Sequence, residues 1–480
     1  SFNTDQGWTI DVAAGKTLTY TGAAIGIEGH KLILTSSSSD GGATFNNTNP
    51  LLLNNVNSYL RFDAEMTVGS VSVNVAGNSG RGLKIKESST ISSLTVAADT
   101  ELSIYSGKIL SGAITVTAGS VKLDKTGTLA SSISMSGGVL DAEKSLTVSG
   151  ALTQSGNITI DIADTKTLTY TGTAISLGAY TMTLSGGGSL VSGGLTLNDP
   201  GSKLLLNSIT VDSVSTSADS SGLDVDADST VSSLSVAHIT PVAIADGISL
   251  SGAITVTAGS VKLDKTGTLA SSISMSGGVL DADNSLTVSG TLTHTGNITI
   301  DVADTKTLTY TGTAISLGAN TLTLSGGGSL VSGGLTLNDV SSKLLLNLIT
   351  VDSVSTSVDN SLGLDVDADS TVTSLSVANI TPIAIAGGSI LSGAITVTAG
   401  SIKLADTGTL ASNVSMSAGT ILDADNSLTV SGTLTQSGNI TIDVLTDKTL
   451  TYSGTAISLG ATTLTLSGGG TFSNTNALVL

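Results

Sequence analysis

The chain has 480 residues, of which 11% are charged and 2% aromatic, with 57 glycines, 4 prolines and no cysteine. Its 37 acidic and 18 basic residues leave a net charge of −19, which argues against nucleic acid and anionic lipid as partners, since both demand a basic stripe. Disulfide and thiolate chemistry are absent, and no apolar run approaches the roughly 18–20 residues that span a bilayer.

The chain opens on SFNTDQGW, without Met or a signal peptide, and is expected to be a processed form or a segment. Residues 1–110 read as a diverged partial repeat. They hold Arg61 and Arg81, the only arginines, Trp8, the only tryptophan, and three of the four phenylalanines, Phe2, Phe45 and Phe62.

The period becomes plain at Ser111. Residues 111–142, SGAITVTAGSVKLDKTGTLASSISMSGGVLDA, return unchanged at 251–282, and an edited copy opens at Ser392. The expected organisation is one continuous solenoid over 1–480, with repeats at 111–250 and 251–391 and a partial repeat at 392–480. Within the first full repeat, short runs alternate Ile, Leu, Val or Met with Thr or Ser: Ala113–Thr117, Ser132–Ser136, Leu146–Ser149, Asn157–Asp161, Thr167–Thr171, Thr181–Ser185 and Leu195–Asn198. Period two is the strand signature, and the AGS, TGT, SGG and DAEKS segments between the runs read as turns. No run has helical periodicity.

A sandwich closes after about a hundred residues and has no reason to repeat, whereas a solenoid repeats by construction. The fold class is therefore all-β, a right-handed parallel β-helix with roughly 20 residues per coil. About 24 such coils at ~4.8 Å each would make a rod on the order of 115 Å long. The tyrosine of an LTY motif recurs at Tyr20, Tyr170, Tyr310 and Tyr452. The tail, Gly468–Leu480, repeats the pattern of Gly41–Leu53 and ends on Ala-Leu-Val-Leu, which is no polar cap; the expectation is a section of a longer repeat protein, or ends covered by neighbouring copies.

Candidate sites are few. Asp224, Asp226 and Asp228 in LDVDADS would place three carboxylates on one strand face, as would Asp365, Asp367 and Asp369. They are the calcium candidates, because Ca²⁺ takes several oxygens at once, although solvated outward positions are the expected reading. The corresponding stretch near the N-terminus carries Lys84 and Lys86 instead, which no metal site would tolerate, so opposed charge patches could instead set the register between neighbouring rods. A second acidic ladder, Asp141 and Glu143, Asp281 and Asp283, Asp423 and Asp425, is expected at coil corners. His30, His238 and His294 are isolated and expected on the surface or in turns. The SGGGSL segments at 185–190 and 325–330 lack the lysine and helix of a phosphate loop and read as tight turns. The Thr-x-Thr pairs such as Thr115 and Thr117 do not recur once per coil, which argues against an ice-binding array. With near-identical coils and no nucleophile motif, no catalytic residue, cofactor or enzyme activity is expected.

The cysteine-free, Ser/Thr/Gly/Asn-rich coils, such as GTLTQSGNITID (432–443) and SGGVLDADNSLTVSG (276–290), resemble the passenger regions of bacterial autotransporters and filamentous-haemagglutinin-like surface proteins. That resemblance implies a right-handed β-helix, exported and displayed at the outer surface as stalk or adhesin. Two readings follow. The first is a rigid extracellular rod in a fibre, sheath or stalk, self-associating end to end or laterally with like chains. The second is an adhesin whose stalk presents a surface to a glycan or protein ligand, with the diverged first hundred residues as the place to look.

Overall fold

Alternating aliphatic and hydroxyl residues give a strand one dry face and one wet face. In the computed structural model, which describes residues 7–37 and 42–480, that pattern becomes an all-β solenoid of parallel strands, without helix and with roughly 20 residues per turn. The opening SFNTDQ and Gly41 lie outside the described residues. The chain packs as two compact units, Ser1–Thr240 and Pro241–Leu480.

In the first unit a representative turn runs through three strands, Ser120–Leu123, Thr128–Leu129 and Ser132–Met135. The next turn, Val139–Ala142, Leu146–Val148 and Leu152–Gln154, lies parallel to it strand for strand. All seven strands expected in the first full repeat form. The turn segments were read too broadly, since Thr128 of TGT and Ser120 of AGS already begin strands.

Register makes the core a column. Val121, Leu140, Ile160, Leu184, Leu206 and Val225 stack one above another, each at most 1% exposed, in steps of 19, 20, 24, 22 and 19 residues. Each such side chain contributes about 1.5–3 kcal/mol by leaving water. The second unit repeats the column with Val261, Leu280, Ile300, Leu324, Leu346 and Val366. Rings are rare inside because a stacked aliphatic set already fills the turn.

The wet faces are stitched by hydroxyls, as in Thr90 with Ser111 (2.8 Å) in the first unit and Thr371 with Ser392 (2.8 Å) in the second. Corners are stitched by short polar side chains that accept a backbone N–H from the next turn. Asn157 Oδ1 accepts from Thr181 at 2.9 Å, Asn297 from Thr321 at 2.8 Å and Asn439 from Thr463 at 2.8 Å. These bonds replace the ladder where strands stop, so corner amides stay satisfied. One glycine is indispensable to the bend of an eight-residue strand. Gly112, within Ile109–Val116, has φ 114°, and a Cβ there would stand 1.9 Å from the Ile91 carbonyl oxygen.

Candidate functional site

The three-carboxylate face does not form. The strand Gly222–Val225 ends one residue before Asp226, so Asp224 projects from the strand while Asp226 and Asp228 sit in the following corner. Asp224 is engaged by the Lys203 ammonium at 2.6 Å. In the second unit Asp365 pairs with Lys343, and Asp369 Oδ1 accepts the backbone N–H of Ile390 at 2.9 Å; Asp367 is an exposed corner residue. Among the described residues, no three His, Asp or Glu side chains are grouped so as to hold a metal ion.

The second acidic ladder also differs from expectation. Asp141, Asp281 and Asp423 are not corner residues: each is the third residue of a strand, Val139–Ala142, Val279–Ala282 and Ile421–Ala424. Register then stacks Asp141 on Asp161, Asp281 on Asp301 and Asp423 on Asp443. Burial pushes each of the three carboxyls up from its ordinary range, and the neighbouring carboxylate of Glu143, Asp283 or Asp425 pushes further. The second members of the ladder do occupy corners, where they pair with lysines: Glu143 with Lys122 at 2.5 Å, Asp283 with Lys262 at 2.6 Å, Asp425 with Lys403 at 3.0 Å. The corner members are paired, but each lysine faces two carboxylates of the ladder, so the strip stays net negative.

The histidines remain dispersed. His30 lies beside Trp8, ring centroids 5.9 Å apart. His238 stands at a corner with Asp219 4.0 Å away, a proximity that spacing along the chain conceals. His294 ends the strand Leu292–His294 rather than lying in a turn, half-buried, with Nδ1 3.1 Å from the Gly296 carbonyl oxygen. Of the SGGGSL segments only the three glycines form the bend, with Gly186 and Gly187 at φ 103° and 85°; Ser185 ends one strand, and Ser189 and Leu190 begin the next.

The most distinctive chemistry lies in the diverged part of the first unit. Lys84 and Glu101 form an ion pair at 2.6 Å whose side chains are only 12% and 11% exposed. Burial alone would lower the Lys84 ammonium, but the hydrogen bond and charge of Glu101 outweigh it and hold Lys84 above its ordinary value. Burial likewise works to raise Glu101, and the Lys84 hydrogen bond and the Gly80 amide overcome it, leaving the carboxyl below its ordinary range. Ser103 donates to Asp124 Oδ1 at 2.6 Å and extends the network.

Above this pair runs a groove of about 290 Å³ lined by Gly77, Asn78, Ser79, Asp99, Thr100, Glu101, Ser120 and Lys122. Its outer wall is a corner loop, held on both sides: Asn78 N–H donates to the Val56 carbonyl at 2.7 Å, Gly77 N–H to the Asp99 carbonyl at 3.0 Å, and Gly80 N–H to Glu101 Oε2 at 2.8 Å. The only signal of this loop in the sequence was that residues 1–110 diverge from the later copies. What spacing could not reveal is that Asp99 and Glu101, one turn of chain on from Asn78, close the same groove.

No family model matches the chain, and no curated protein and no solved structure matches it either. The fold itself defines a class: both units belong to the β-solenoid repeat proteins, whose turns stack through in-register parallel strands. Among the described residues, no helix is long and apolar enough to cross a membrane.

Proposed function

We propose that this chain is a non-enzymatic structural protein, a rigid extracellular rod that forms part of a fibre, sheath or stalk. The observation that carries this reading is the near-identity of the successive 140-residue copies. In each unit the interior is one filled aliphatic column, built by near-identical copies that vary little. Repetition lengthens and stiffens a body, whereas a reaction centre needs one turn unlike its neighbours. Self-association with like chains, end to end or side by side, fits the low charge and the exposed hydroxyl ladders. The resemblance to bacterial surface proteins supports a place outside the cell.

Electron microscopy of the native particle tests the proposal. Continuous filaments or a periodic sheet, recovered from the surface fraction, are the expected result; isolated rods ending in a knob would overturn the fibre. The groove over Gly77–Lys122 favours a second reading, in which the rod carries a binding surface as an adhesin does.

A further inference from the structure

The chain supplies its own control for that groove, because later copies rebuild the same corner without it. The anchor is common to all three: Gly77 N–H bonds the Asp99 carbonyl (3.0 Å), Ser220 N–H that of Ile239 (3.1 Å), and Asn360 N–H that of Ile380 (2.9 Å). From the anchor to the next strand's first glycine the three corners differ. The first inserts Asn78-Ser79-Gly80-Arg81 before Gly82, the second only Ser221 before Gly222, the third Ser361-Leu362 before Gly363. The floor differs too. Asp99 and Glu101 of the first copy correspond to Ile239 and Pro241, then to Ile380 and Pro382. Where the later copies are apolar and short, this corner is polar and extended.

Unused groups line and rim the groove. Asp99 Oδ1 accepts the Ser120 N–H at 2.8 Å while Oδ2 is unengaged, and the exposed Arg81 at the rim forms no ion pair among the described residues.

We propose that this groove is a binding site for a neutral saccharide. Its lining mixes acceptors (Asp99, Asn78) with donors (Lys122, Ser79), the pattern that vicinal hydroxyls satisfy from both sides. An anion would meet the carboxylates of Asp99 and Glu101. A flat apolar ligand would find no ring or aliphatic wall, and a metal ion no third ligand. The loop is already bonded to the turns on both sides, so little ordering would oppose binding. The site is independent of whether chains polymerise, and its failure would leave the rod untouched.

The test uses the full chain on a glycan microarray carrying neutral hexose and N-acetylhexosamine oligosaccharides beside sialylated and sulphated ones. Retention of at least one neutral member is expected. Two variants then locate it: replacement of Asn78–Arg81 by the single serine of the second copy, and Asp99→Ile, which installs the floor residue of that copy, with circular dichroism confirming the fold. Each is expected to weaken binding roughly tenfold or more, the loss of one or two hydrogen bonds to the ligand. No binding to any neutral member, preference for the sulphated ones, or equal binding by the corner-replaced chain would overturn the assignment.

Discussion

The hydroxyl of Tyr310 accepts a hydrogen bond from the backbone N–H of Leu292 at 3.0 Å, across the interior of a turn. Tyr170 does the same for Leu152 (3.0 Å) and Tyr452 for Leu434 (3.1 Å). Tyr310 is 4% exposed, and a Cβ at Gly312 would lie 2.2 Å from its Oη, so the glycine two residues on makes room for the ring. Tyr310→Phe leaves a buried amide without an acceptor and should cost about 1–3 kcal/mol. Hydrogen exchange at the Leu292 amide should accelerate and the melting temperature fall. Tyr20, which is half-buried and makes no such bond among the described residues, should tolerate the same change better.

Asp281 provides a pH dependence whose sign is fixed by its burial. Its folded pKa lies above the unfolded value, because burial and then Asp283 disfavour the charged form. The folded state therefore binds more protons across that interval, and stability falls as pH rises from the ordinary carboxyl range through the raised value. Asp281→Asn should raise the melting temperature at neutral pH and give no gain in acid, where the carboxyl is protonated in both states. Asp141 and Asp423 should behave alike. Melting curves across an acid-to-neutral series check it; an Asn variant less stable at neutral pH would contradict it.

The fold was legible because period two and the 140-residue copy say the same thing: strands, stacked. Two strands that escaped notice carry a charge within the hydroxyl alternation, Ser120–Leu123 with Lys122 and Val139–Ala142 with Asp141, and others, such as Leu152–Gln154 and Ser189–Val191, are only three residues long. A charge that looks like a corner in one dimension thus belongs to a ladder in three. The Asp226 and Asp228 placement failed for the opposite reason. Alternation continues through LDVDADS after the strand has ended, and nothing in the pattern marks where hydrogen bonding stops. The groove was foreshadowed only as a diverged region; its closure depends on register between turns.

Calcium should leave this protein unaffected. Asp224 and Asp365 hold lysines, Asp369 holds a backbone amide, and Asp226 and Asp228 leave the strand. A divalent cation would have to displace those partners and still lack a converging set of oxygens. Titration calorimetry should show no saturable heat, and chelator should not change the melting temperature. A cooperative stabilisation by Ca²⁺ would show that the carboxylates rearrange.

Lys84 and Lys262 separate a buried ion pair from an exposed one within one chain. Lys84 and Glu101 are 12% and 11% exposed, whereas Lys262 and Asp283 are 37% and 40% exposed at the same 2.6 Å separation. Lys262→Met should change stability by less than about 1 kcal/mol, because water replaces the lost partner. Lys84→Met leaves Glu101 half-compensated by the Gly80 amide and should cost about 2 kcal/mol. Urea unfolding followed by circular dichroism, with and without added salt, distinguishes the two. Screening should shrink whatever small effect Lys262 has and leave more of that of Lys84 in place, since its pair is the less exposed; equal costs at both positions would mean that water from the groove screens Glu101 as freely as it does Asp283.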